Sequence, residues 1–145
     1  MAVRKSELIR RLSDYFTTRD DVSHALLFGS AATDVEGPDS DIDIAAYFHP
    51  KNGTLDLEDE VFFTTEDDIW TDLVSITGSE VDFVVLNRAP STLAASVYLN
   101  GIVLAINRRA LYLRHFHAAT DLAEEYRRFA SDFAEIKKRS LSLTE

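Results

Sequence analysis

Residues 26–48 read LLFGSAATDVEGPDSDIDIAAYF, and the order of residue types within them decides the fold. Leu26-Leu27-Phe28 closes an apolar run, VSHALLF, that Asp20-Asp21 precede and Gly29 ends, which reads as a buried strand. AATDVEGPDS has turn composition, with Gly37-Pro38 as its punctuation. DIDIAAYF then reads as a second strand. Side chains alternate faces along a strand, so Asp41 and Asp43 share one face while Ile42 and Ile44 turn to the core. Two acids on one strand face, just after a Gly-Ser turn, need a physical reason.

The flanking sequence supplies the frame. KSELIRRLSDYF places Leu8, Leu12, Tyr15 and Phe16 on one face of an amphipathic helix. After the second strand, HPKNGT is a turn, and LDLEDEVFF and TEDDIWTDLVSI are expected as helices. Thr65 can cap the latter, with Glu66, Asp67 and Asp68 favoured by the helix dipole and Gly78 ending it after Ile69, Leu73 and Ile76. EVDFVVLN is a third strand with Val81, Phe83 and Val85 on one face and Asp82 on the other. APSTLAASVYLNG is a short helix opened by Pro90 and closed by Asn100-Gly101, and IVLAIN is a fourth strand. Residues 108–141 hold no Pro or Gly, and Tyr112, Phe116, Ala119, Leu122, Tyr126, Phe129, Phe133 and Ile136 recur at spacings of three and four. That is one long helix, or two in register. The order predicts an α/β fold of the α+β type, a small sheet with helices packed on it.

Composition bounds the rest. The chain has 145 residues, so one domain spanning 1–145 is expected: an N-terminal helix at 1–18, a core at 20–107 and a C-terminal helix at 108–141. Hydrophobic residues make up 46% of it, enough for a globular core without staples. It has no cysteine, which excludes disulfides and thiol chemistry. The opening MAVRKSELIRRL is too charged for a secretory signal, and no apolar run is long enough to span a bilayer, so a cytoplasmic protein with no membrane partner is expected. A net charge of −10 opposes direct nucleic-acid binding and suits a basic protein partner.

If the third strand lies beside the second, Asp41, Asp43 and Asp82 converge. Two like charges ~4 Å apart repel by roughly 4 kcal/mol at an effective dielectric of 20. Such a site either takes up protons or binds a hard cation. Oxygen-only ligands on a rigid platform suit Mg²⁺, which keeps waters and accepts phosphate oxygens as further ligands. Gly29 and Ser30 offer backbone N–H groups and a hydroxyl to phosphate oxygens, and Gly29 lets the backbone come close.

These residues carry a resemblance. FGSAATDVEGPDSDIDIAAYF followed by VDFVVLN resembles the minimal nucleotidyltransferase (MNT) branch of the polymerase-β-like nucleotidyltransferases, over about residues 20–107. The resemblance implies a small mixed nucleotidyltransferase-like sheet with flanking helices and a long C-terminal helix. It implies that Gly29 and Ser30 bind the nucleotide triphosphate, that Asp41, Asp43 and Asp82 are catalytic and ligate Mg²⁺, and that Asp82 helps deprotonate the attacking hydroxyl. AMP would pass from ATP to an acceptor hydroxyl, releasing pyrophosphate. Stand-alone chains of this length resemble MNT antitoxins, whose partners are HEPN-domain ribonuclease toxins adenylylated on tyrosine; a hetero-oligomer is implied. The family signature often reads Gly-Ser-x-Ala-Arg-Gly. Ala32 matches it, whereas Thr33 and Asp34 replace the Arg and Gly, removing a cation and adding an acid beside the triphosphate.

Other residues read more plainly. Arg109 and His115 match a loose HEPN-like spacing, a coincidence of a basic helix face. His24 reads as a satisfied core residue and Trp70 as core; His115 and His117 fall on different faces of the long helix, against a shared metal. The stripe from Tyr126 to Ile136 outruns a small domain and marks a partner surface. Two alternatives stand beside the leading one: a small-molecule hydroxyl as acceptor, and a non-catalytic antitoxin that works by occlusion.

Overall fold

The computed structural model describes residues 5–32 and 41–143. The chain runs α1 (Lys5–Thr17), β1 (Val22–Phe28), a 3-10 turn (Gly29–Ala32), β2 (Ile42–Phe48), α2 (Glu66–Thr77), β3 (Val81–Val85), α3 (Ser91–Asn100), β4 (Ile102–Ile106) and α4 (Arg109–Leu143). The sheet order is β3-β2-β1-β4. β1 is antiparallel to β2 and β4, and β2 is parallel to β3. The mixed α+β fold expected from the sequence is what forms.

Helices cover both faces of the sheet. On one face, Leu8, Leu12 and Phe16 of α1 and Ile69 and Leu73 of α2 pack on Leu27, Ile42, Ile44, Val81 and Val85. On the other, Val97 and Tyr98 of α3 and Ala119 of α4 pack on Leu26, Ala45, Tyr47 and Leu86. Each fully buried aliphatic side chain contributes roughly 1.5–3 kcal/mol. The face that carries Asp43 is therefore a second core from Ala45 onward, and only its first step is open; the expected division into a core face and a site face holds only at the strand ends.

Three local expectations are corrected. LDLEDEVFF forms no helix. Tyr47 Oη donates to Asp56 O (2.9 Å) and accepts from Asp56 N (2.8 Å), while Glu58 has φ 55° and accepts from the Ser91 N–H, capping α3 (2.6 Å). Those tertiary bonds outweigh the helix propensity of Leu and Glu. Thr65 does not cap α2; its hydroxyl donates to Asp21 Oδ2 (2.7 Å), and Glu66 instead accepts from the Phe63 N–H (2.7 Å). Pro90 lies one residue before α3 with extended backbone.

α4 is one helix of 35 residues. Its first half packs Tyr112, Phe116, Ala119 and Ala123 on the domain. Its second half projects, with Phe129 71% and Phe133 58% exposed and Tyr126 and Ile136 exposed beside them. Among the described residues no helix is long and apolar enough to cross a membrane.

Candidate active site

β2 and β3 run in parallel register with Asp43 opposite Asp82. Adjacent strands lie ~4.8 Å apart, so the two carboxylates leave neighbouring backbones side by side. They stand on the α3/α4 face, one step before Ala45 and Val84 enter the core. The flanking Ile42, Ile44 and Val81 are buried on the opposite face and fix the register. Asp41 lies one residue before β2 and is exposed.

β1 completes the site. Phe28 pairs with Asp43, and the next residue, Gly29, has φ +72°. A Cβ built on Gly29 would lie 2.1 Å from Asp43 Oδ2. Only glycine admits that approach, and the left-handed backbone adds a second reason. Gly29-Ser30 therefore begins its 3-10 turn directly against the carboxylate. Lys5 Nζ donates to Ala32 O (3.2 Å), tying α1 to the end of that turn.

The electrostatics match the geometry. Desolvation pushes the Asp43 carboxyl above the usual carboxylate range, and repulsion from Asp82, with a carboxyl–carboxyl hydrogen bond to it, adds to the rise; Asp41 acts more weakly in the same direction. The sequence-predicted trio is brought together as a close pair, Asp43 and Asp82, with Asp41 beside it. Among the described residues no three carboxylates or imidazoles form a ready-made cation cage. Mg²⁺ is commonly held by one or two carboxylates with water and substrate phosphates, so the pair and the adjoining turn fit it. Thr33 and Asp34 lie outside the described residues.

The sequence profile of the family described as "Polymerase beta, Nucleotidyltransferase" matches residues 10–110. The chain belongs to the polymerase beta nucleotidyltransferase family. The matched span runs from α1 to the start of α4 and contains Gly29, Ser30, Asp41, Asp43 and Asp82. A search of curated proteins finds no match. Among solved structures, a toxin-antitoxin with AMP-PNP is 21% identical, with a TM-score of 0.62 over 96% of this chain and 99% of that one. The toxin-antitoxin MntA-HepT is 20% identical, TM-score 0.55, over 94% and 96%. A tri-AMPylated Shewanella oneidensis HEPN toxin in complex with MNT antitoxin is 21% identical, TM-score 0.53, over 90% and 95%. At these identities the likeness is one of fold, and it extends over nearly the whole chain.

Beyond the aspartates lies a cleft of about 610 Å³, walled by Asp41, Asp82, Glu80, Val81, Val74 and Trp70 among others. Trp70, expected in the core, is 45% exposed. Its Nε1–H donates to Val81 O (2.8 Å), which holds the ring edge against β3 and leaves the indole in the cleft. Sequence reasoning missed it because its spacing from Ile69 and Leu73 places it at the border of the apolar face of α2.

Two of the four histidines, His24 and His115, are structural. His24 is buried; Ser23 Oγ lies 2.8 Å from its Nδ1 and Tyr98 Oη 2.7 Å from its Nε2. Tyr98 Oη also lies 2.6 Å from His115 Nδ1. Burial lowers His24 to about 3 and His115 to about 4. His115 is thus locked inside the core, in agreement with the reading of the Arg109–His115 spacing as a coincidence.

Proposed function

We propose that this chain is a metal-dependent nucleotidyltransferase that moves AMP from ATP onto a tyrosine hydroxyl of a partner protein. The partner is a HEPN-domain toxin, which makes the chain the antitoxin of a toxin-antitoxin pair in the cytoplasm. The observation that carries the reading is the in-register Asp43–Asp82 pair, with Asp43 pressed against Gly29, in a member of this family. The relatives of like fold are toxin-antitoxin complexes, one with AMP-PNP and one with an AMPylated toxin, which supports the choice of nucleotide and acceptor.

The roles follow from position. The backbone of Gly29 and the Ser30 hydroxyl would take the triphosphate. Asp41, Asp43 and Asp82 would hold Mg²⁺, which when bound neutralises charge on the reacting phosphate. Asp43 stands between turn and cleft, so it aligns the α-phosphate with both. Asp82 faces the cleft, where the acceptor's hydroxyl proton must leave. Catalysis then rests on alignment and electrostatics. Residues 1–145 act as one nucleotidyltransferase unit, and the exposed stripe on α4 from Tyr126 to Ile136 is the surface through which a hetero-oligomer forms.

Intact mass spectrometry tests the reading. A partner co-expressed with this chain and incubated with Mg-ATP gains AMP-sized increments, and Asp41→Asn abolishes them. An unmodified partner that the Asp41→Asn chain still neutralises would instead make this a binding antitoxin.

A further inference from the structure

We propose that the cleft walled by Trp70 is the acceptor site, and that it takes a neutral phenolic side chain stacked on the indole, from a segment flanked by basic residues. The inference rests on the proposed transfer reaction and adds where its acceptor docks and what selects it.

The sheet order across the site is β1, β2, β3, so Gly29-Ser30 lies on one side of Asp43 and Asp82 on the other. In-line displacement puts the attacking oxygen opposite the leaving pyrophosphate. With phosphates over the β1 turn, the acceptor must arrive over β3. The cleft of about 610 Å³ opens at the β3 side of the sheet end, with Trp70 and Val74 of α2 and the core-facing Val81 forming its wall on the α1/α2 face and Asp41 and Asp82 bordering it toward the Asp43 face. In the transfer, the phenolic oxygen bonds to the α-phosphorus, the bond from that phosphorus to the bridging oxygen of pyrophosphate breaks, and the phenolic proton leaves by way of Asp82 to water. Tyrosine-linked AMP and pyrophosphate result.

The walls specify the class of acceptor. Trp70, Val74 and Val81 make an apolar side, and Trp70 is held by one edge, leaving its ring open to stack. Asp41, Glu80 and Asp82 make an acidic side, which disfavours a nucleic-acid end or other anionic acceptor and favours basic flanks. A serine hydroxyl stays much closer to its own backbone than a tyrosine's and leaves the apolar side unfilled.

The chain contains one tryptophan, so its fluorescence reports this cleft alone. With magnesium and AMP-PNP present, the blocked peptide Lys-Tyr-Arg is expected to quench the emission saturably and Lys-Ser-Arg is not. In transfer onto the partner protein, Trp70→Ala is expected to raise KM about tenfold with a much smaller change in kcat, and Trp70→Phe to restore most of the loss. Equal quenching by both peptides, or none, overturns the assignment. So does a Trp70→Ala loss of AMP-PNP affinity as large as its KM effect, which would put the nucleotide base in the cleft. Wild-type chain that binds no nucleotide and transfers no AMP defeats the transfer reading itself; wild-type transfer with unaltered KM in both variants defeats only the cleft assignment.

Discussion

Two groups of polar side chains lie on the same face of the same sheet, and they are resolved in opposite ways. At the end of β2 away from the aspartates, His24, Tyr98 and His115 are buried among Tyr47, Tyr112 and Phe116, and each ring has a hydrogen-bond partner. Four residues back along β2, ~13 Å by strand rise, Asp43 meets Asp82 with like charge. The first group is satisfied by the chain alone. The second is not, and a cation with phosphates is what would satisfy it. A buried polar cluster that closes on itself reads as structure; a half-buried Asp43 left in repulsion with an exposed Asp82 beside a glycine cradle reads as a site.

The largest effect expected from breaking this contrast is at Asp43. Asp43→Asn should lower AMP transfer by about 10³-fold, yet stabilise the metal-free protein at neutral pH. The sign follows from its raised carboxyl: the folded state favours the protonated form, so that stability is present below the ordinary value of 3.8 and is lost as pH rises through the elevated one. Thermal melts in chelator above that pH should show the gain, and melts at strongly acid pH should show none. Next in size is Tyr98→Phe. It removes the partner of His24 Nε2 and of His115 Nδ1 in the core, and chemical denaturation should find a loss of about 2–4 kcal/mol while transfer at permissive temperature survives.

The pH profile sharpens the same contrast. His24 and His115 are held neutral, at about 3 and about 4 against an ordinary 6.5. Depressed values give stability that is present above 6.5 and lost as pH falls toward 3–4, on the order of 3 kcal/mol each. Acid titration followed by circular dichroism should show this loss, and His115→Phe should remove its own share while the His24 share remains. Gly29→Ala forces a methyl into Asp43 and a left-handed backbone, so it should destabilise by about 1–2 kcal/mol and lower transfer about 10–100-fold. The smallest effect on the fold is expected on α4: Phe133→Ser should change stability by no more than about 0.5 kcal/mol and weaken only partner association, read by size-exclusion chromatography.

Much of this was legible in the residues. The four strands and the long helix fall where apolar periodicity put them, because Ile42, Ile44, Val81 and Val85 must face a core whatever the tertiary details. Gly29, Asp43 and Asp82 were expected side by side because a Gly-Ser turn after one apolar strand, an Asp-x-Asp opening the next and an acid on a third form one pattern, and the strand register places them together. What escaped depends on distant contacts. Tyr98 meets His24 across 74 residues of chain, and a histidine inside VSHALLF was the only sign of it. LDLEDEVFF has helix formers, but Tyr47 and Ser91 claim its polar groups. Trp70 looked like core by composition, yet its place at the rim of α2 leaves it facing the cleft.

The most direct measurement is a thermal melt with magnesium and AMP-PNP added together, on wild type and Asp43→Asn side by side. The wild-type melting temperature should rise with ligand concentration and the variant's should stay flat, since ligand binding to the folded state is what relieves the aspartate pair. Equal rises in both proteins, or none in the wild type, would contradict the account.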